Sequence, residues 1–183
     1  MEKIYYSMIN TPLGRMWAAA SENGLVQFSI LDDKDGFMRE LESRIKAEYI
    51  EDPCKFMNLR AELERYFNGE RLVFKGPFDL RGTPFQVEVW RAIHSIPNGS
   101  LTSYGGIAKQ IGRPKAVRAV GNAVGHNPLG LIVPCHRVVS SNGGIGGFSS
   151  GLEWKRKLLA YEGIFESYMG KPEMKLDLRK FFK

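Results

Sequence analysis

Cysteine is scarce: Cys54 and Cys135 are the only two in 183 residues. That excludes a disulfide scaffold and a zinc site built from cysteines alone. No apolar run approaches the roughly 20 residues that a membrane span needs. The longest in the C-terminal half, Leu129 to Pro134, is far too short. The start, Met1-Glu2-Lys3-Ile4-Tyr5, lacks the charged-then-apolar pattern of a secretory leader. Free thiols without a leader predict a reducing cytoplasm, or the nucleus of a eukaryote. Carboxylates are also scarce in one region. Between Thr83 and Gly151 the sole acid is Glu88, against six Lys and Arg. Residues 1–82 hold 12 basic and 14 acidic residues and residues 83–183 hold 14 and 6, so the overall charge of +6 is one-sided. Such asymmetry suits a polyanionic partner, and equally a solvated basic face. Apolar material is ample: 43% hydrophobic and 11% aromatic residues exclude wholesale disorder.

The first half reads as a small α+β unit. Ile4-Tyr5-Tyr6, Met16 to Ala20 and Leu25 to Ile30 read as strands, and Asn23-Gly24 between apolar runs marks a hairpin. Phe37, Leu41, Ile45 and Tyr49 recur at i+4 spacing, which predicts a helix from Gly36 to Tyr49. A second helix is expected after Asp52-Pro53, stopping at Asn68-Gly69. Leu72-Val73-Phe74 and Phe78-Asp79-Leu80 are candidates to return to the sheet, and Arg81 to Pro84 reads as a linker.

The second half reads as mostly helical: Phe85 to Ile96, then Tyr104 to Ile111 capped by Ser103, then Lys115 to Val124 opened by Pro114, and finally Leu152 to Glu162. The middle pair, joined by a tight turn with Gly112, forms a helix-turn-helix. Asn127 to Val139 looks like an apolar strand, and the region beyond Gly163 has no clear pattern. The expected layout is therefore an N-terminal α+β domain with an antiparallel sheet (1–82), a helical domain with the helix-turn-helix (83–165) and a tail (166–183).

On the helix from Lys115, Ala116, Val120, Ala123 and Val124 share one face, while Lys115, Arg118 and Asn122 share the other. Two cations, an amide and nearby glycines suit close approach to nucleic acid, although an ordinary amphipathic surface helix has the same pattern. Cys135 and His136 are adjacent. A thiol becomes a nucleophile once a base takes its proton, and imidazole is the usual base. Extended backbone would point the two side chains to opposite faces, so a bridging water is easier than direct contact. Glu162 is the candidate to orient the imidazole, because few acids remain in this half. A buried structural cysteine is the bland alternative, and it is the reading given to Cys54.

Pro134-Cys135-His136-Arg137-Val138, preceded by Asn127-Pro128 and by Arg118 to Gly121, and followed by Tyr161-Glu162-Gly163, strongly resembles the O6-alkylguanine-DNA alkyltransferases. The resemblance covers about Phe85 to Gly163. It implies direct-reversal DNA repair: irreversible, single-turnover transfer of an alkyl group from O6-alkylguanine to Cys135, with O4-alkylthymine a second candidate substrate. It implies that His136 deprotonates the thiol through a water, that Glu162 holds His136, and that Asn127 braces the helix-turn-helix against the acceptor segment. Tyr104 would sit near guanine N3 and the 3′ phosphate. Arg118 would fill the stack vacated by a flipped base, with Lys115, Asn122 and Ser141 as further DNA contacts in the minor groove. Val138, Gly146, Phe148, Ser149 and Ser150 would line the lesion pocket.

Some family members carry a structural zinc on the N-terminal domain. Here that half has one cysteine and no histidine, so no metal and no cofactor are expected, and a monomer is the expected form. Phe148 lacks a phenol hydroxyl found in some relatives, and Gly130 stands where some have proline. Two other classes compete: a helix-turn-helix regulator or lesion sensor with Cys135 inert, and a cysteine hydrolase, which would also need an oxyanion hole.

Overall fold

A computed structural model of the protein describes residues 1–164 and residue 182. The chain forms two compact units, one of residues 1–81 with 128–130 and one of residues 82–127 with 131–183. The fold class is α+β.

The first unit is a four-stranded sheet with helices. β1 (Lys3–Thr11), β2 (Gly14–Ser21) and β3 (Gly24–Ser29) form an antiparallel meander. α1 (Lys34–Arg44) follows, capped by Asp33, whose carboxylate accepts from the Gly36 backbone at 2.8 Å. Phe37 and Leu41 of α1 pack with Ile4, Trp17, Ala19 and Val26 of the sheet. The helix stops earlier than the i+4 stripe suggests. Ile45 turns extended, and Glu48–Glu51 becomes β4, which pairs parallel with β1 at the sheet edge, giving the order β3-β2-β1-β4. Tyr49 satisfies both periodicities, and the open edge of β1 decides between them, because its backbone groups need partners.

Pro53–Phe56 is a 3₁₀ turn leading into α2 (Met57–Phe67), which ends at Asn68-Gly69 as the sequence predicts. Leu72-Val73-Phe74 does not join the sheet. Of the second candidate, only Phe78 bridges to Leu25.

The second unit begins inside the supposed linker. Thr83 and Gln86 form a reciprocal capping box, and Pro84 is the first residue of α3 (Pro84–His94). β5 (Thr102–Ser103) leads into α4 (Tyr104–Gln110), with the Ser103 hydroxyl accepting from Gly106 at 2.9 Å. α5 (Val117–Gly125) starts two residues later than expected. Arg113 to Ala116 close a turn of their own, with the Ala116 N–H on the Arg113 carbonyl at 2.9 Å, so Pro114 and Lys115 precede the helix.

The stretch 127–139 is not a strand. Leu131 has φ +74°, Cys135–Arg137 is a 3₁₀ turn, and only β6 (Val138–Val139) is extended, pairing parallel with β5. Proline at 134 removes a ladder donor, and the tight turn takes its place. α6 (Leu152–Tyr161) closes the described part. The tail from residue 166 lies outside the described residues apart from Phe182, which bridges to Leu101.

Candidate active site

Every candidate residue lies in the second unit. The short β5–β6 pairing matters most for assembly. Thr102 lies opposite Val138 and Ser103 opposite Val139 in parallel register, so the pair ties the segment leading into α4 to the segment that follows the Cys135–Arg137 turn. α6 supplies the rest. Lys155, Leu158, Leu159 and Glu162 recur at i, i+3, i+4 and i+7, and all four are buried. Gly163 (φ +77°) ends the helix in the left-handed conformation that glycine adopts without strain, which fixes Glu162 in its last turn.

Cys135 is buried, and its backbone N–H bonds the Val133 carbonyl at 2.7 Å. The Asn127 amide donates to that same carbonyl at 2.7 Å and also hydrogen-bonds the Cys135 sulfur. Burial pushes the thiol above its ordinary range, and this outweighs the stabilising effects of Asn127 and Lys155. At rest the sulfur is therefore a neutral thiol.

His136 is fully buried, with Nε2 2.8 Å from Glu162 Oε1. Burial pulls its basicity below the usual range, against the opposing pull of Glu162. The Glu162 carboxyl is raised by burial, but His136 and Arg137 together outweigh that and hold it well below the usual carboxylate range. An ionised carboxylate only accepts hydrogen bonds, so the Nε2–H donates. The neutral ring then carries a bare lone pair on Nδ1, and Nδ1 is buried without a hydrogen-bond partner among the described residues.

Two residues that sequence reasoning missed complete the centre. Arg137 is one of the six cations between Thr83 and Gly151, yet it is 3% exposed and grips Glu162 through Nε at 2.9 Å and Nη2 at 2.8 Å. Five of the six cations between Thr83 and Gly151 remain exposed: Arg91, Lys109, Arg113, Lys115 and Arg118. Lys155 is fully buried and donates to the Val138 and Gly147 carbonyls at 2.6 and 3.0 Å. Its position on the apolar stripe of α6 was the available signal.

Burial lowers Lys155 to about 8. The unfolded chain keeps this proton to about 10.5. Between those values the unfolded state binds more protons, so this group makes stability rise with pH, by up to ~1.4 kcal/mol per pH unit. Denaturant titrations across that window should show the rise in wild type relative to Lys155→Met. Identical pH dependence in the two proteins would mean that Lys155 does not titrate there.

Tyr104 is half-buried at the start of α4, with its phenol raised chiefly by burial and hydrogen-bonded to the Gly147 backbone. Gly146 (φ +72°) approaches it so closely that a Cβ there would sit 3.0 Å from the phenol oxygen. Val138 is buried, Phe148 and Ser150 are half-buried, and Ser141 and Ser149 are exposed on the loop before α6. On α5, Val120, Ala123 and Val124 are buried, with the Trp90 indole N–H donating to the Ala123 carbonyl at 2.8 Å. Arg118 and Asn122 are exposed on the other face, and Lys115 is exposed in the preceding turn. Among the described residues neither Arg118 nor Lys115 has a salt bridge.

The site thus sets a buried, neutral thiol one residue from an imidazole whose Nδ1 has no partner among the described residues. The same unit carries the α4–α5 pair, with Arg118 exposed on α5 and Lys115 exposed in the turn before it. Residues 84–164 match the model of the 6-O-methylguanine DNA methyltransferase DNA binding domain, and residues 4–80 match that of the 6-O-methylguanine DNA methyltransferase ribonuclease-like domain. The chain belongs to this methyltransferase family.

It is 40% identical over 159 residues to the methylated-DNA–protein-cysteine methyltransferase of Mycolicibacterium paratuberculosis, covering 87% of this chain and 92% of that one. Against the protein of the same name from Methanosarcina acetivorans it is 40% identical over 160 residues, 87% of this chain and 99% of that one. The crystal structure of Mycobacterium tuberculosis OGT in complex with DNA superposes with a TM-score of 0.74 at 39% identity, covering 87% of this chain and 93% of that one.

Proposed function

We propose that this protein repairs DNA by direct reversal, moving the alkyl group of O6-alkylguanine irreversibly onto Cys135. The observation that carries the reading is the one-sided imidazole: His136 is bound to Glu162 through Nε2 and open at Nδ1, next in sequence to a buried thiol. The thiol proton passes to His136 Nδ1, through a water. The sulfur forms a bond to the alkyl carbon as the carbon–oxygen bond breaks, and that electron pair leaves with guanine O6. The guanine anion then takes up a proton, which the imidazolium can return. The thioether is stable, so each molecule acts once.

DNA is the partner, approached through the minor groove, and the protein acts as a monomer, since one unit of one chain supplies the whole site. Tyr104 faces the guanine edge, and Asn127 ties the helix-turn-helix to the acceptor segment. Arg118 enters the stack behind the flipped base, Lys115, Asn122 and Ser141 contact the backbone or groove, and Val138, Gly146, Phe148, Ser149 and Ser150 shape the pocket.

The test is the intact mass after incubation with duplex carrying O6-methylguanine. One added methyl group, mapped to Cys135, without turnover supports the reading. Unchanged mass with retained binding would instead indicate a binding module, and repeated release of product a hydrolase.

Arg118→Ala separates base replacement from simple charge contact. As a phosphate contact, its loss weakens binding to all duplexes and lowers the salt slope by about one unit. As the stack-filling residue, its loss impairs transfer far more than binding. The expected order of impairment is duplex, then mismatched or single-stranded lesion, then free O6-alkylguanine base, because an unpaired base costs least to expose. Equal losses on all three substrates would assign Arg118 to the shape of the site instead.

A further inference from the structure

Arg137 donates four side-chain hydrogen bonds, three of them to Glu162, and nothing in the reaction as described uses it. Its guanidinium places Nε 2.9 Å from Glu162 Oε2 and Nη2 2.8 Å from Oε1. A third donor, Nη1, reaches the Ile96 carbonyl at 2.7 Å. Oε1 is also the oxygen that His136 Nε2 meets at 2.8 Å. One carboxylate thus serves a permanent cation and a titratable ring, and the side chains of all three are at most 4% exposed.

Charge bookkeeping decides what His136 can do. With Arg137 in place, Glu162 is already neutralised, so a neutral imidazole leaves the buried group balanced. A protonated ring would add an unmatched positive charge out of water, which is costly. Lys155, buried on the same helix as Glu162, makes a second positive charge still less favourable. Without Arg137, Glu162 would have His136 as its nearest remaining counter-charge and would draw a proton onto the ring. An imidazolium has no lone pair left to accept the thiol proton.

We propose that Arg137 is a positioning residue for proton transfer: by occupying both oxygens of Glu162 it holds His136 in the neutral Nε2–H tautomer, leaving Nδ1 free to take the proton of Cys135. The proposal rests on the repair reading for its consequence in the reaction, but the state of the ring can be measured without any substrate. The titratable and charged groups around His136 are Arg137 and Cys135 on its own turn, Glu162 and Lys155 on α6, and Tyr104 on α4, which faces Cys135. Arg137 and Glu162 act on the ring with opposite sign, so removing one unbalances the charge beside it and removing both restores the balance.

The experiment is nitrogen-detected NMR of His136 in the full chain, from pH 5.5 to 8.5. Wild type should show a neutral ring protonated on Nε2 at pH 7. A protonated ring or the Nδ1–H tautomer overturns the proposal without recourse to any variant. In Arg137→Met the titration midpoint should rise by about one to three pH units, the usual effect of an exposed opposite charge. In the double variant Arg137→Met, Glu162→Gln it should fall back toward wild type, because both charges are gone. Arg137→Lys, which keeps the charge, should leave the ring neutral.

An unchanged midpoint in Arg137→Met would reduce Arg137 to a structural role and overturn the proposal. If Arg137→Met does not fold, the wild-type tautomer together with Arg137→Lys still decides. Methyl transfer by wild type, measured in parallel, keeps the two readings apart. A wild type that transfers nothing defeats the repair reading alone, whereas a transferring wild type with an imidazolium at rest defeats this one alone.

Discussion

Cys135→Ala should transfer no alkyl group and bind DNA as wild type does. The side chain is 4% exposed, so it contributes almost nothing to a surface that DNA could touch. Exposed cations of this unit lie elsewhere, among them Arg118 on α5 and Arg113 and Lys115 in the turn before it. Removing the sulfur deletes the nucleophile and little else. Cys54 is the other thiol and is exposed, and its unit holds no histidine. Methylation of Cys54 in the variant would show that a free thiol without a paired base suffices, and would sink the assignment of Cys135. Loss of binding together with transfer would show that the change had disturbed the fold; the matched control is the melting temperature of the variant.

His136→Ala should slow transfer by about 10²–10⁴-fold at neutral pH, the usual cost of losing a positioned proton acceptor. The pH profile is the sharper readout. In wild type the ring stays neutral below the ordinary imidazole range, because burial disfavours its charged form. The rate should therefore be nearly flat through neutrality. In the variant, thiolate must form before attack, and burial has pushed the thiol above its ordinary range. The rate should then climb with pH into the alkaline region.

Glu162→Gln should also slow transfer, and it should destabilise the fold as well. It leaves Arg137 buried without its counter-charge, and removing one member of a buried pair typically costs about 3–5 kcal/mol. Single-turnover rates between pH 6 and 9.5, with denaturant unfolding alongside, check both variants. A His136→Ala rate within a few-fold of wild type at neutral pH would place the base elsewhere.

The site was legible in the sequence to the extent that its chemistry is local. Cys135, His136 and the scarcity of acids near Glu162 could be read directly, as could the apolar and cationic faces around Val120 and Arg118. Helix ends marked by caps were legible too, including Ser103 before α4 and Asn68-Gly69 after α2. These signals depend on side chains within a few residues of one another, where propensity and capping set the outcome.

What only the tertiary structure decided depends on distant partners. Tyr49 leaves its helical stripe because β1 has an edge to pair. The segment around Cys135 is a turn and not a strand, since β5 pairs with Val138 and Val139 alone and Asn127 holds the Val133 carbonyl. A charged residue in a sequence is assigned to the surface unless a counter-charge is seen. Arg137 meets Glu162 across 25 residues and Lys155 finds carbonyls at Val138 and Gly147, so neither could be called buried before folding brought those partners together. The sequence by itself determined which atoms can react. The fold determined their protonation states, because those depend on how completely water is excluded and on which charges share the space.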